Sequence, residues 1–314
     1  MIPGPWGKEM KTVNRSLIYA LIAIFSWSTV AASFKTALKY YSHFEVLLVA
    51  ALTAFFILAT VTCIRKKWSC LSSLSKKQWG KYALIGLLNP VAYYLVLFRA
   101  YDLLPAQIAQ PVNYLWPMVL SILLAVITRK AILPVKYIGM ALSLSGVAII
   151  SYGSGGMQGE SLPLSGLLPA LLSAFLWAVF WIVNKTNEQA DGTVSLLLIF
   201  FFGSVYLLAA SFFMEVNLDS PEGALAGAYV GTFEMAIPFI FFRLALKETD
   251  NPVLINQLCY LSPFLSLFII HFVLGEDISV TTFAGLFLIV FGIIFNEYIA
   301  NRIKSQKVNS NKTE

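Results

Sequence analysis

Ten apolar segments follow one another along almost the whole of this chain of 314 residues. An apolar segment of ~20 residues crosses the ~30 Å core of a bilayer as a helix, which satisfies its own backbone hydrogen bonds. Charged residues make up 12% of the chain, about half of the ~25% found in soluble proteins. The sequence therefore predicts an all-α polytopic membrane protein with ten transmembrane helices and no separate soluble domain. The segments cover residues 16–34, 44–64, 82–101, 106–127, 133–152, 164–184, 193–213, 224–245, 252–273 and 279–299.

The basic residues indicate how the chain is oriented. Of the 22 lysines and arginines, all but Lys35, Lys39 and Arg99 fall on the side of the predicted membrane that carries both chain termini. By the positive-inside rule this side is the cytoplasm. We therefore expect a multi-pass protein of the cell inner (plasma) membrane, with cytoplasmic tails at 1–15 and 301–314. The net charge of +6 follows from this topology, so it does not call for a nucleic-acid partner.

The two halves of the chain repeat each other. With a shift of 146 residues, 106–149 aligns with 252–295 without a gap, and both copies contain YLxP followed by GxxLxxxG. A shift of 150 places Trp27 on Trp177 in the opening helix of each half. The predicted boundaries are 16–152 for the first repeat, 153–163 for an outer loop and 164–300 for the second repeat.

Each repeat contains five predicted helices, and five is an odd number. Two successive copies must then cross the membrane in opposite directions, which makes the repeats inverted. In transporters, inverted repeats meet at a site near the bilayer midplane, and exchange of their conformations exposes that site to alternate sides. The pattern therefore predicts two inverted five-helix repeats around a central site.

The ten-helix pattern, the tryptophan in each opening helix, YLxP and GxxLxxxG resemble the drug/metabolite transporter superfamily, in its EamA-type branch. The resemblance covers essentially both repeats. VNYLWP at 112–117 and AFLWAVFWIVNK at 174–185 are similar to motifs of bacterial exporters of aromatic and other amino acids. This resemblance implies a secondary transporter that exports amino acids or related metabolites by alternating access. It also implies that Trp116 and Trp177 border the transport pathway.

Glu234 is the one acidic residue near the middle of a predicted membrane helix. An ionisable group there costs ~2.5–3.5 kcal/mol on insertion scales, so it needs a functional or pairing reason. The functional interpretation is a coupling residue that takes up a proton or accepts a substrate ammonium. The alternative is a protonated glutamic acid that hydrogen-bonds a neighbouring helix. Asn89 occupies the repeat-related position at a shift of 145, so we expect both side chains to face the same midplane volume.

Two stripes of amide and phenol side chains lie on repeat-related helices. Gln110, Asn113 and Tyr114 share one face of the fourth helix, because they are spaced at i, i+3 and i+4. We favour cavity lining for the stripes, with hydrogen bonding between helices as the alternative. The corresponding stripe of the ninth helix comprises Asn256, Gln257 and Tyr260.

Aromatic residues and prolines complete the predicted site. Trp27 and Trp177 lie too deep in their helices for interfacial anchors, so we expect them in packing or in a cavity wall. Tyr93 and Tyr94 would add an aromatic wall able to stack on a planar or cationic solute. Prolines lack a backbone donor and favour kinks. The candidate hinges, with static bends as the alternative, are Pro111, Pro117 and Pro263.

The sequence contains no motif typical of an enzyme: Walker A, HExxH, GxSxG and a His/Cys metal cluster are all absent. We therefore expect no catalytic residue, no metal and no cofactor. The expected partners are a small-molecule substrate and the lipid bilayer, with protons as a candidate coupling ion, in a monomer or homodimer. A drug, nucleoside or sugar carrier of the same fold is one alternative, and a non-transporting membrane scaffold or receptor is another.

Overall fold

The computed structural model describes residues 5–129, 132, 134–156, 163–185, 191–249, 255 and 258–310, and the regular secondary structure within these ranges is helical. The first half comprises α1 (Pro5–Ala37), α2 (His43–Ile64), α3 (Ser69–Ser72), α4 (Lys76–Gly86), the π-turn π1 (Leu87–Ala92), α5 (Tyr93–Leu103), α6 (Ala106–Asn113), α7 (Trp116–Thr128) and α8 (Lys136–Gly156). The second half comprises α9 (Leu164–Lys185), α10 (Gly192–Ser211), α11 (Pro221–Val230), the π-turn π2 (Gly231–Ala236), α12 (Ile237–Glu248), α13 (Leu261–Leu274) and α14 (Val280–Ser310).

Seven helical runs in the described residues are long and apolar enough to cross a membrane by length and composition. They are Arg15–Ala37, His43–Ile64, Lys76–Leu103, Ala106–Thr128, Leu164–Val183, Gly192–Ser211 and Pro221–Glu248. Three shorter apolar helices, Lys136–Ile150, Leu261–Leu274 and Val280–Asn296, fall in the three remaining predicted segments. The prediction of an all-α polytopic membrane protein is confirmed.

The opening helix of each half packs against the other half. α1 lies along α11, α12 and α13, whereas α9 lies along α5, α6 and α7. Trp27 of α1 packs against Phe242 of α12, with ring centroids 5.4 Å apart. Trp177 of α9 packs against Tyr93 of α5, with centroids 4.6 Å apart. Because of this exchange, the centre of the molecule is walled by helices from both halves.

A π-turn interrupts one long helical run in each half. π1 separates α4 from α5, and π2 separates α11 from α12. In π1 the residue after Asn89 is a proline, which has no N–H for the helical ladder, and Asn89 itself leaves helical geometry with φ −142° and ψ 118°. Gly86 and Gly231 bring the two turns against the backbones of α10 and α2, where a Cβ would collide with carbonyl oxygens. The repeat alignment at a shift of 145 places these two glycines on each other.

The closing helices α8 and α14 pack antiparallel through four glycines. Gly139 lies against Gly292 and Gly146 lies against Gly285, so the residue numbers run in opposite directions along the two helices. Small residues permit this close approach inside a membrane. The repeat alignment places Gly139 on Gly285 and Gly146 on Gly292. Equivalent surfaces of the two halves therefore contact each other, as they do across a two-fold axis.

The fourth predicted segment is broken in its middle. α6 ends at Asn113 and α7 begins at Trp116, with Pro117 in the first turn of α7. α7 and α13 then end at repeat-related residues, Arg129 and Gly275, which both adopt left-handed geometry with φ 51° and 70°. The break lies at the prolines expected to bend this segment, and their role as hinges stays a prediction.

Candidate functional site

A cavity of ≈ 480 Å³ lies at the centre of the bundle, among helices of both halves. This volume falls within the range of about 300–1,000 Å³ typical of small-molecule sites. The residues that the sequence singled out and that line the cavity are Trp27, Tyr93, Gln110, Asn113, Tyr114, Trp116, Pro117, Trp177, Glu234 and Tyr260.

Asn113 is held in a fixed orientation on the cavity wall. Its side-chain nitrogen donates to Ser173 Oγ of α9 at 2.8 Å, and Ser173 Oγ donates in turn to the carbonyl oxygen of Ala170 at 2.7 Å. The hydroxyl of Tyr93 donates to Asn113 Oδ1 at 3.5 Å. The amide is therefore tied to α5 and α9, and the hydrogen bonds that it offers to a solute have a defined direction.

Glu234 faces the cavity from π2 with one of its two oxygens already bound. The hydroxyl of Tyr94, a fully buried side chain of α5, donates to Glu234 Oε1 at 3.0 Å. Among the described residues, no second hydrogen-bond partner of this carboxyl group is found. Tyr94 holds the group at the wall, and the carboxyl group has acceptor capacity left for a solute or a proton.

Aromatic rings surround the middle of the cavity. Phe239 lies between the two opening-helix tryptophans, with its ring centroid 6.1 Å from that of Trp27 and 5.9 Å from that of Trp177. Nearer the end of α9, Trp181 stacks with Trp116 at 6.1 Å and an interplanar angle of 16°. The four tryptophans line the cavity, and their faces can pack on a flat solute or attract a cation.

One end of the cavity is closed by packed rings and polar contacts. Phe34 and Tyr101 meet edge-on, with centroids 5.1 Å apart, and Lys35 Nζ donates to the Tyr101 carbonyl oxygen at 2.7 Å. Beyond Tyr101 lies a second cavity of ≈ 220 Å³, whose charged lining residues are Lys35, Lys39, Asp102 and Glu276. Tyr101 lines both cavities and separates them.

Glu276 joins the two halves at this closed end. Its carboxylate accepts from the backbone N–H groups of Ala106 at 3.2 Å and Gln107 at 3.4 Å, at the first turn of α6. The side chain of Gln107 donates to the carbonyl oxygen of Asp277 at 2.9 Å. A carboxylate at a helix N-terminus is favoured by the helix dipole, so these contacts stabilise the closure.

The opposite end of the cavity reaches the side of the bundle where lysines and arginines concentrate. Lys136, the first residue of α8, lines the cavity there with Leu246 of α12 and Asn296 of α14. Phe34, Tyr101, Lys136 and Asn296 also line the cavity, and the sequence did not predict them there. The sequence marks Lys136 only as a basic residue that orients the chain in the membrane, and the other three belong to no motif that would mark them.

Several predicted site residues lie elsewhere. Asn89 is 1% exposed and does not line the cavity, so the expectation that it shares a volume with Glu234 is corrected: it is buried in π1, which packs against α10. Pro111 and Pro263 are buried within α6 and α13, outside the cavity wall. Asn256 and Gln257 lie outside the described residues. Among the residues described, no three of His, Cys, Asp and Glu form a group that could hold a metal ion.

Comparison with known proteins identifies a family and two relatives. The EamA-like transporter family matches residues 14–152 and again 164–298. The chain is 26% identical over 237 residues to the uncharacterized transporter YvbV of Bacillus subtilis (strain 168), which covers 74% of this chain and 75% of the relative. It is 29% identical over 185 residues to an uncharacterized transporter of Clostridium kluyveri, covering 56% of this chain and 58% of the relative.

A solved crystal structure shares the fold. It superimposes with a TM-score of 0.66 over 92% of this chain and 98% of its own, at 19% sequence identity.

Proposed function

Because the chain belongs to the EamA-like transporter family, and is a multi-pass membrane transporter, we propose that it exports small organic solutes, amino acids or related metabolites, across the plasma membrane by alternating access. The observation that carries the proposal is the central cavity, where aromatic walls, an oriented amide and one carboxylate converge from both halves. That combination suits a solute with an amine and an apolar body.

The arrangement of the halves supports alternating access by inverted repeats. The antiparallel contact of α8 and α14 uses equivalent glycines from each half. The opening helix of each half, α1 or α9, packs against helices of the other half. Two similar units with opposite orientations in the membrane can each adopt the conformation of the other. Such an exchange would open the cavity first to one side of the membrane and then to the other.

The two ends of the cavity support loading from the cytoplasm. If the lysine- and arginine-rich side is cytoplasmic, as the positive-inside rule predicts, then Lys136 and Asn296 stand at the inner mouth. Tyr101, Lys35 and Glu276 close the outer end. A solute would enter from the cytoplasm and leave after the outer contacts part.

The residues divide into those that pack on the solute and those that orient it. Trp116, Trp177 and Tyr260 would pack against its body, and Asn113 would orient its polar group. Glu234 would bind the ammonium of the solute or a proton. Since one carboxylate cannot hold both at once, alternate occupancy would couple export to proton entry. Asn256 and Gln257 stay predicted contributors to the same wall.

An export assay tests this proposal. Cells that express the protein should lose a preloaded panel of amino acids and amine metabolites faster than cells without it. Glu234→Gln should reduce that export and make it less dependent on pH. An amide does not take up a proton at physiological pH, and it does not form an ion pair with an ammonium group. Glu215→Gln, on an exposed residue far from the cavity, is the matched control and should leave export unchanged. Normal, pH-dependent export by Glu234→Gln would remove the coupling role.

A further inference from the structure

The charged groups around the central cavity are few and lie far apart. In the part of the chain that the structure describes, Glu234 and Lys136 are the charged residues of its wall. Glu234 belongs to π2 and lies midway along the apolar helical run Pro221–Glu248. Lys136 is the first residue of α8. The carboxylate is therefore at mid-membrane depth, and the ammonium is at the rim.

Because Glu234 and Lys136 lie at different depths, they cannot pair at the same time with the ammonium and the carboxylate of one amino acid. The ammonium and carboxylate of an α-amino acid are attached to one carbon, so a solute whose ammonium meets Glu234 cannot place its carboxylate on Lys136. Lys35 donates to the Tyr101 carbonyl oxygen and lines the second cavity. A solute carboxylate at mid-depth would thus be desolvated beside the like charge of Glu234, which is unfavourable because the described residues offer no cationic partner at that depth.

The rest of the wall suits a cation. Tyr94 holds one oxygen of Glu234 at 3.0 Å, which leaves acceptor capacity for the three donors of an ammonium group. Gln110 adds a side-chain oxygen that is buried and has no hydrogen-bond partner among the described residues. The rings of Tyr93 and Trp177, 4.6 Å apart, provide π-faces that attract a desolvated cation.

We propose that this site selects monoamine cations with an aromatic or apolar body, and that the carboxylate of an amino acid weakens binding. The inference rests on the proposed function and narrows it from amino acids and related metabolites to amines that lack a carboxylate or have it masked.

Binding and flux of four matched probes test the inference. Phenethylamine, phenylalaninol, phenylalanine and N-acetylphenylalanine share one ring and differ in charge. With purified full-length protein in liposomes, quenching of tryptophan fluorescence reports binding, and counterflow of labelled probe reports transport. We expect phenethylamine and phenylalaninol to bind at least about tenfold more tightly than phenylalanine, which is ~1.4 kcal/mol, and N-acetylphenylalanine not to bind.

Variants separate the charge from the shape of the site. Glu234→Gln should abolish the preference for the two amines, Glu234→Asp should retain its direction, and Glu215→Gln should leave binding unchanged. If phenylalanine binds as tightly as phenethylamine, or if Glu234→Gln keeps the preference, the inference is wrong. Absence of binding by all four probes would overturn it as well.

The failure of the proposed function has a different signature. Amine binding that depends on Glu234 without any flux would contradict transport of these solutes while leaving charge selection intact. Flux of phenylalanine without preference for the amines would support transport and contradict charge selection.

Discussion

The two π-turns occupy related places in the two halves, yet they present different chemistry. In π2, Glu234 faces the central cavity. In π1, Asn89 is buried outside the cavity wall. The first half contributes instead through Tyr94, two residues after π1, whose hydroxyl holds the Glu234 carboxyl group. Two related interruptions of a helical run therefore place different groups at the cavity: π2 supplies the carboxyl group, and the helix after π1 supplies the hydroxyl that donates to it.

Exchange of the two side chains is the strongest test of this division. The double variant Asn89→Glu with Glu234→Asn keeps the composition and moves the carboxylate to π1. We expect it to lose about 1.5–3 kcal/mol of solute-binding free energy, the contribution of a hydrogen bond to a charged group, and at least tenfold in export. The reason is that π1 does not reach the cavity. Initial export rates, normalised to folded protein in the membrane, give the measurement.

The two single variants are controls for the double variant. Glu234→Asn alone should show the same loss, whereas Asn89→Ala should keep most of the export. Full export by the double variant would mean that the two turns are interchangeable. It would contradict the claim that π2 reaches the cavity and π1 does not.

Removal of the supporting hydroxyl should have a smaller effect. In Tyr94→Phe the Glu234 carboxyl group loses its donor at 3.0 Å but keeps its place in the wall. A net hydrogen bond contributes about 1 kcal/mol, so we expect roughly a fivefold weaker affinity for the amine probes, measured by tryptophan quenching. Tyr206→Phe removes a hydroxyl that bonds the Ala83 carbonyl oxygen away from the cavity. An equal loss in both variants would indicate packing damage rather than support of Glu234.

The closed end tests a second difference between the halves. Glu276 accepts two backbone N–H groups of α6, whereas the repeat-related position in the first half is Lys130. In Glu276→Gln, the closure should weaken by roughly 0.3–1 kcal/mol, the value of a charge at a helix end. Cys259 lines the central cavity, so its labelling by an impermeant thiol reagent from outside should rise roughly two- to fivefold.

Two features make this labelling experiment specific. The other cysteines, Cys63 and Cys70, are first replaced by serine so that Cys259 is the reporter. Asp277→Asn is the matched control, because Asp277 bonds Gln107 through its backbone carbonyl and its side chain can change without loss of that contact. Unchanged labelling in Glu276→Gln would show that the outer closure does not depend on this carboxylate.

At the helix ends, the comparison of the two halves concerns stability rather than transport. Gly275 and Arg129 both adopt left-handed backbone geometry, with φ 70° and 51°. An L-residue with a Cβ loses about 1–2 kcal/mol in that region. Gly275→Ala should therefore lower the thermal unfolding midpoint in detergent, and Arg129→Gly should raise it. Shifts of the same sign in both variants would contradict the equivalence of the two ends.

Much of the fold is legible from hydrophobicity and spacing. A lipid core of fixed thickness demands long apolar helices that satisfy their own backbone, so the ten segments follow from local composition. The polar stripe of Gln110, Asn113 and Tyr114 and the deep tryptophans Trp27 and Trp177 could likewise be assigned to a cavity wall, where the structure places them. Polar groups in an apolar span are costly, and this cost marks them in the sequence.

The rest depends on how distant helices meet. Adjacent tyrosines point in different directions: Tyr93 faces the cavity, and Tyr94 lies behind it against Glu234. Alignment of Asn89 with Glu234 could not reveal that π1 buries one side chain and π2 turns the other toward the cavity, because the direction of each side chain depends on which helices pack against its turn. From the sequence, Lys136 is one of the basic residues that orient the chain in the membrane. It becomes part of the cavity mouth because α8, α12 and α14 come together there.

The membrane class and the one carboxylate at mid-membrane depth follow from the sequence, because the solvation cost of a residue type depends on its position along the chain. The repeat also follows from the sequence, because the two halves share ordered motifs. The tertiary structure alone decided which polar groups converge, which of two equivalent turns carries the carboxylate, and which end of the cavity is closed. Those outcomes depend on contacts between residues as far apart as Tyr94 and Glu234, and no local pattern encodes them.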